Sequence, residues 1–220
     1  MSIESISISK PFFELKFIQN ENSYIIKSPS ILINLSNVKI SIKDQLLSKY
    51  HSLIVNNIKV TNIKKAVLVV LNNNEDDKKI MSQMRKKWPS AYEVRKEERL
   101  KGVHHYMSPK KWIGQYGFTV YHSSSVPLNV GMHKDHPFCP LPGFKEIHTQ
   151  IMGFGKMQQF KAKNLKDLYI EEIMAPGVTH QPMFDKKGNY PWHQFETITP
   201  SVFLAIEMLP RGARPPSLGK

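Results

Sequence analysis

The sequence predicts a mainly β fold with a mixed α/β N-terminal region. Three observations predict it. Runs of β-branched and aromatic residues recur from Ile3 to Val60 and again from Trp112 to Met208. Several of them alternate polar and apolar residues, and only Asp76 to Lys101 changes to a helical pattern. At 220 residues the chain can bury a sizeable core as one domain with an extension, or as two small ones.

In chain order, Phe12 to Phe17 and Ser30 to Leu35 read as strands, and Val38-Lys39-Ile40-Ser41-Ile42 alternates cleanly. Asp44 to Leu53 reads either as part of that strand series or as a short helix. Ala66 to Leu71 is a wholly apolar run, expected as a core strand and ended by the polar residues 72–77. Asp76 and Asp77 then precede Ile80, Met81 and Met84 at helical spacing, and Pro89 interrupts. Ser90-Ala91-Tyr92-Glu93 is a capping box that opens a second helix, with Gly102 as its stop. The charges from Arg95 to Arg99 are expected on that helix's solvated face. His104 and His105 are expected at the surface, because neighbours in an extended segment face opposite ways. Trp112 to Tyr121 reads as one aromatic-rich strand, Leu168 to Met174 and Val202 to Met208 as two more, and Asp185 to His193 as a turn-rich insertion. The divisions expected are an N-terminal region over 1–102, a second unit over 103–209 and a flexible tail over 210–220.

Composition narrows the partners. Lys+Arg of 31 against Asp+Glu of 18 gives a net charge of +13. Such a balance attracts nucleic acid, anionic lipid or an acidic substrate. The excess is spread over every quarter of the chain, so it reads first as general bias, and nucleic acid is the weaker expectation. Cys139 is the only cysteine, which excludes an intrachain disulfide and points to a reducing cytosol. No apolar run approaches the roughly 20 residues of a membrane span, and Met-Ser-Ile-Glu-Ser does not read as a signal peptide. A homodimer is compatible with the sequence.

Most of the visible chemistry lies between Gly131 and His180. There stand Gly131-Met-His-Lys-Asp-His136, Glu146-Ile-His-Thr-Gln-Ile-Met-Gly-Phe-Gly155 and Ala175-Pro-Gly-Val-Thr-His180. In a strand, alternate side chains share a face, so His133 and Asp135 point one way. Glu146, His148 and Gln150 likewise share a face opposite Ile147, Thr149 and Ile151. Imidazoles and carboxylates brought together from three strands make a ligand shell for a divalent ion.

Glu146 to Gly155, with its glutamate seven residues before a Gly-x-Gly turn, resembles the end of the first cupin motif, and Gly177-x-x-His180 the core of the second. The resemblance covers Gly131 to Leu209. It implies a double-stranded β-helix, a cupin-like barrel over 103–209, holding a metal inside. The first motif normally has two histidines two apart, close before the glutamate; here His133 and His136 are three apart, and 137–144 separate them from Glu146. His133-Lys-Asp135 with distant His180 resembles instead the facial triad of Fe(II)/2-oxoglutarate oxygenases, including the Jumonji-type branch of the same barrel. Those enzymes often anchor 2-oxoglutarate with a lysine after Gln-Ile-x-Gly. Lys156 stands one position late relative to Gln150-Ile-Met-Gly153, so 2-oxoglutarate has no support in the residues.

The expected metal residues are therefore His133, Asp135 or His136, and His180, with Glu146 and His148 completing or orienting the shell. Gln150 and Lys156 are expected to contact substrate, and His193 to act in catalysis. The leading function expected is a non-haem Fe(II) oxygenase acting on a small polar or anionic substrate, the anionic preference resting on Lys134, Lys156 and Lys161. A redox-neutral isomerase, epimerase or lyase with Glu146 or His193 as base is the second. A barrel that binds nucleic acid without turnover is the third.

Overall fold

The computed structural model describes residues 2–71, 76–124, 126–128, 130–136, 141 and 143–215. Cys139 lies outside them. The N-terminal strands are β1 (Ser2–Ile6), β2 (Glu14–Ile26), β3 (Ser30–Asn34), β4 (Ile40–Ile42), β5 (Gln45–Leu47), β6 (Ser52–Val55) and β7 (Ile58–Val70). Helices α1 (Asp77–Lys87) and α2 (Ala91–Arg95) follow. The remaining strands are β8 (His105–Met107), β9 (Lys111–Ile113), β10 (Tyr116–Ser123), β11 (Lys145–Met152), β12 (Gly155–Phe160), β13 (Leu168–Met174), β14 (Trp192–Thr197) and β15 (Ser201–Met208).

These strands form three antiparallel sheets. The N-terminal sheet has the order β1-β2-β7-β3-β6, with the β4-β5 hairpin held on β7. The second is β11-β15-β10-β8 with β9 beside β10, and the third is β13-β12-β14. The second sheet is the middle layer. One face of it, through Phe118, Val120, Ile147, Leu204 and Ile206, packs against Leu15, Phe17, Ile31 and Val67 of the N-terminal sheet, with Ile80 and Met84 of α1 covering the edge. Its other face, through Tyr121, Phe203 and Ala205, packs against Met157, Met174 and Phe195 of the third sheet. Burial on both faces explains why β15 reads as a nearly unbroken apolar run. Its one charge, Glu207, is buried and ion-paired to equally buried Lys110.

Alternation sorts the side chains as the pleat requires. On β11, Ile147 and Ile151 turn to the N-terminal sheet, which leaves Glu146, His148 and Gln150 facing the third sheet. On β2 and β7, Phe17 and Val67 join that shared core while Ile18 and Leu68 fill the opposite face. The N-terminal sheet is clamped to the rest by more than apolar contact. Ser52 Oγ donates to the Gly177 carbonyl at 2.6 Å and accepts from Thr179 Oγ1 at 2.7 Å.

Local expectations fared unevenly. The capping box at Ser90 is present: Ser90 N donates to Glu93 Oε2 at 2.8 Å, and Glu93 N to Ser90 Oγ at 3.2 Å. The helix it opens is short. It ends at Arg95, where Lys96 adopts a left-handed φ of 56°, well before Gly102. Asp44 to Leu53 is not helical but supplies β5 and β6; Lys43 at φ 48° turns the chain, and Ile42 pairs with Gln45 across the hairpin. Trp112 to Tyr121 is a hairpin rather than one strand, turning at Gly114 with φ 57°.

Candidate metal centre

β14 alternates like any strand, and the face that carries His193 and Phe195 turns inward beside Met157 of β12. The opposite face carries Gln194, which donates to Gln158 Oε1 at 2.8 Å on the outer side. Across from β14, His133 forms an isolated bridge with His193. His133 N donates to the His193 carbonyl at 2.9 Å and His193 N returns the bond at 2.8 Å. Their ring centroids lie 4.3 Å apart. His136 completes the group, its ring 5.2 Å from His193 and 5.5 Å from His133. One nitrogen from each of the three imidazoles lies within 4.8 Å of the others.

The ring nitrogens are set up to donate lone pairs. His133 Nδ1 lies 3.0 Å from the Gly131 carbonyl and His193 Nδ1 2.9 Å from that of Pro191. A carbonyl can only accept, so each Nδ1 carries the hydrogen and each Nε2 presents its lone pair, the outer-shell arrangement seen at metal-ligating histidines. Burial also keeps the rings neutral. It lowers the His133 pKa well below the ordinary value, reinforced by His193 and Arg99, and takes His193 down to about 4. Burial lowers His136 as well, against the pull of Glu146. Three neutral imidazoles within this distance suit a borderline divalent transition metal.

Glu146 stands beside the trio. Its Oε1 accepts from His148 Nε2 at 2.8 Å, and its Oε2 lies 3.5 Å from His136 Nε2. Burial alone would raise its pKa; His148, then His136 and Arg95, more than offset this and hold the carboxyl well below the usual range. Behind it, Glu146 N donates to the Tyr190 hydroxyl at 2.6 Å, which fixes the start of β11 against the aromatic wall of Tyr190 and Phe144. The histidines and Glu146 line a cavity of about 40 Å³, shared with Arg95, Arg99, His105, Tyr121 and Phe203. A single water needs roughly 10–15 Å³, so there is room for an ion and the reacting end of a small substrate.

Several residues expected at the centre stand elsewhere. His180 is wholly buried, but its Nε2 accepts from His148 N at 2.9 Å and its Nδ1 donates to the Gln181 carbonyl at 2.7 Å. Both ring nitrogens are spent on backbone, so His180 braces β11 and has no lone pair left for an ion. Asp135 is exposed and outside the trio. The facial triad of His133, Asp135 and His180 is therefore not assembled. Lys156 lies on the outer face of β12, 3.6 Å from Glu171 and 3.7 Å from Glu196, because Met157 takes the inward position. Gln150 is buried and shares the face of Glu146 and His148, but its amide donates to the Met152 carbonyl at 2.9 Å rather than lining the cavity.

His136 joins His133 because 131–136 is not a regular strand; outside the bridge at His133 the alternation that would separate them does not apply. The charged run from Arg95 to Arg99 is solvated only at Lys96 and Glu98. Arg95 and Arg99 both pair with Glu97, at 2.6 and 2.7 Å, and line the cavity. His105 is buried, not at the surface. Its Nδ1 bonds Ser123 Oγ at 2.8 Å and its ring stacks on Tyr121 at 4.9 Å. No sequence pattern marked these residues, since they reach the site by where β8 and the turn after α2 are packed.

Two antiparallel sheets face each other across a core, and inward-facing histidines and a carboxylate cluster between them. This is the arrangement that the sequence resemblance to cupins implies. No family model matches the sequence, and no curated protein matches it. Similar solved structures include a sugar phosphate isomerase from a cupin superfamily of Silicibacter pomeroyi, at 15% identity and a TM-score of 0.34, covering 49% of this chain and 60% of that one. A cupin superfamily protein from Desulfitobacterium hafniense is 6% identical over 48% of this chain and 78% of its own, with a TM-score of 0.34. A cupin 2 conserved barrel domain protein from Leptotrichia buccalis is 10% identical over 95% and 88%, again with a TM-score of 0.34. The trio sits between the third sheet and β11, and the N-terminal sheet covers the opposite face of the middle layer.

Proposed function

We propose that the chain is a metal-dependent enzyme of the cupin type that moves a proton on a small anionic substrate. The observation that carries this reading is the convergence of His133, His136 and His193 with Glu146 at their edge. His133, His136 and His193 would hold a divalent transition metal, which supplies Lewis-acid polarisation of a substrate oxygen when bound. Glu146, ionised and hydrogen-bonded to His148, is the group able to accept a proton. His148 Nε2–H, donated to Glu146, fixes the carboxylate's orientation.

Charge around the site supports an anionic substrate. Arg95 and Arg99 line the cavity, and a separate cleft lined by Lys134, Lys161, Tyr169 and Trp192 lies against the chain neighbours of His133 and His193. Lys163 Nζ sits 5.4 Å above the Trp192 ring at its edge. An isomerisation, epimerisation or elimination needs a metal-polarised oxygen and one base, and Glu146 with the trio supplies both. An iron-dependent oxygenase could use the same three imidazoles, but its expected triad has lost Asp135 and His180.

Two measurements test the proposal together. Elemental analysis of protein purified without chelator should find about one transition-metal ion per chain, lost in His136→Ala. Turnover of a panel of small carboxylates and phosphate esters in D2O should place solvent deuterium in substrate with no oxygen uptake. Substrate-dependent oxygen consumption would move the assignment to an oxygenase, and a metal-free wild type would end it.

A further inference from the structure

Lys145 and Glu146 are adjacent on β11 and their side chains leave it in opposite directions. Glu146 enters the metal centre. Lys145 lines a different cavity, of about 370 Å³, between the N-terminal sheet and the end of the middle sheet. Five cations from four separate segments meet there: Lys49, Lys145, Lys186, Lys187 and Arg211. None of the described residues lining it is acidic. None of the five is in an ion pair with a carboxylate among the described residues. The nearest carboxylate on the same turn, Asp185, is spent on that turn itself, accepting from Lys187 N at 2.8 Å and Asn189 N at 2.9 Å.

Two of the cations are held against aromatic rings. Lys49 Nζ sits 4.7 Å above the Tyr50 ring and Lys145 Nζ 5.0 Å above that of Phe184, whose rings meet edge to face at 6.0 Å. Lys65 adds a sixth charge at the margin, its Nζ 3.4 Å from the hydroxyl of Tyr116, which lines the cavity. Burial, then Lys145 and Lys65, depress the Lys49 pKa, as crowding of like charges without a counterion demands. Leu35, Met208 and Leu209 give the cavity an apolar floor.

We propose that this cleft is a second binding site, separate from the metal centre, for a phosphorylated small molecule. Lys49 and Lys145 grip the phosphate, the Lys186-Lys187 turn and Arg211 close over it, and Tyr50, Tyr116 and the apolar floor receive the organic part. Amines are strongly hydrated point charges that bind phosphate without demanding one geometry, which suits a phosphate gripped from several sides. The volume falls in the range of small-molecule sites. A nucleic-acid track would instead be an open strip of cations beside exposed stacking rings, whereas here the charges close on one concavity.

Calorimetric titration at physiological ionic strength tests this with inorganic pyrophosphate, phenyl phosphate and a single-stranded oligonucleotide. Pyrophosphate and phenyl phosphate should bind saturably, and Lys49→Gln/Lys145→Gln should weaken both at least about tenfold. Lys186→Gln/Lys187→Gln, on an exposed turn where folding is not at stake, should weaken them as well. Lys39→Gln/Lys64→Gln should leave affinity within about twofold, and so should His193→Ala, which separates this cleft from the metal centre. Failure of either phosphate probe to saturate would overturn the proposal. So would unchanged affinity in Lys186→Gln/Lys187→Gln, or binding confined to the oligonucleotide with a steep salt dependence.

Discussion

His133 and His193 exchange both of their backbone hydrogen bonds, at 2.9 and 2.8 Å, so the two rings are positioned by main-chain pairing and not by side-chain packing alone. A substitution of either ring leaves that bridge in place. Truncation at His133 or His193 should therefore cost metal without unfolding the chain. His133→Ala and His193→Ala are each expected to retain less than about a tenth of wild-type metal, while stability in urea falls by no more than about 2 kcal/mol, since the backbone bridge survives and each ring already borders a cavity. Elemental analysis alongside urea unfolding checks both halves.

The acid limit of metal retention follows from the same rings. Protons compete for the lone pairs only where the histidines titrate, and His193 does so near 4, with His133 also well below the ordinary value. The ion should stay bound through pH 6 and leave between about pH 5 and 4. Release near pH 6.5, measured with a chromogenic chelator, would show the rings to be ordinary exposed imidazoles.

His180 should behave as a structural residue. His180→Ala is expected to keep its metal but lose roughly 2–4 kcal/mol of stability, because the His148 amide and the Gln181 carbonyl both lose buried partners. Its pKa, lowered by burial to about 3, also ties stability to pH. The folded chain holds this ring neutral, whereas the unfolded chain protonates it near 6.5, so its contribution is whole above pH 6.5. The contribution falls away as pH drops toward 3, by roughly 5 kcal/mol across the window. In His180→Gln the slope of unfolding free energy against pH over that window should fall by about one proton.

The buried pair of Lys110 and Glu207 gives a double-mutant test. Lys110→Met alone takes the cation from Glu207, whose pKa burial already raises, and should cost about 3–5 kcal/mol. Lys110→Met with Glu207→Leu should recover most of that loss. Thermal unfolding of the four proteins in the cycle measures the coupling.

Gly177→Ala addresses the clamp between the N-terminal sheet and the barrel. The glycine sits at φ +87°, and a Cβ there would lie 2.6 Å from Ile54 Cγ1. Conformation and contact together should cost about 2–4 kcal/mol, read from the urea midpoint. Recovery of part of it by Ile54→Ala would assign that part to the contact.

How much was legible beforehand differs by element. The end of β7 from Ala66 and all of β15 declare themselves as apolar runs, and Asp76 and Ser90 cap their helices as the local code requires. β11 shows its two faces in the alternation of Glu146, His148 and Gln150 with Ile147, Thr149 and Ile151. These are short-range matters, settled by side-chain shape and by period. The segment from Asp44 to Leu53 misleads because its helical pattern is overridden by pairing with β4 and β3, a long-range gain that propensity does not contain.

The sequence by itself determined a mainly β chain rich in inward-facing histidine and carboxylate, with Glu146 and His133 among the candidates. Only the tertiary structure decided which nitrogens remain free. His180 and His193 are equally buried histidines. The backbone beside His180 takes both of its ring nitrogens, while the backbone beside His193 takes one and leaves the other facing His133 and His136. That choice depends on where carbonyls and amides from distant segments come to rest, which residue type and spacing cannot encode.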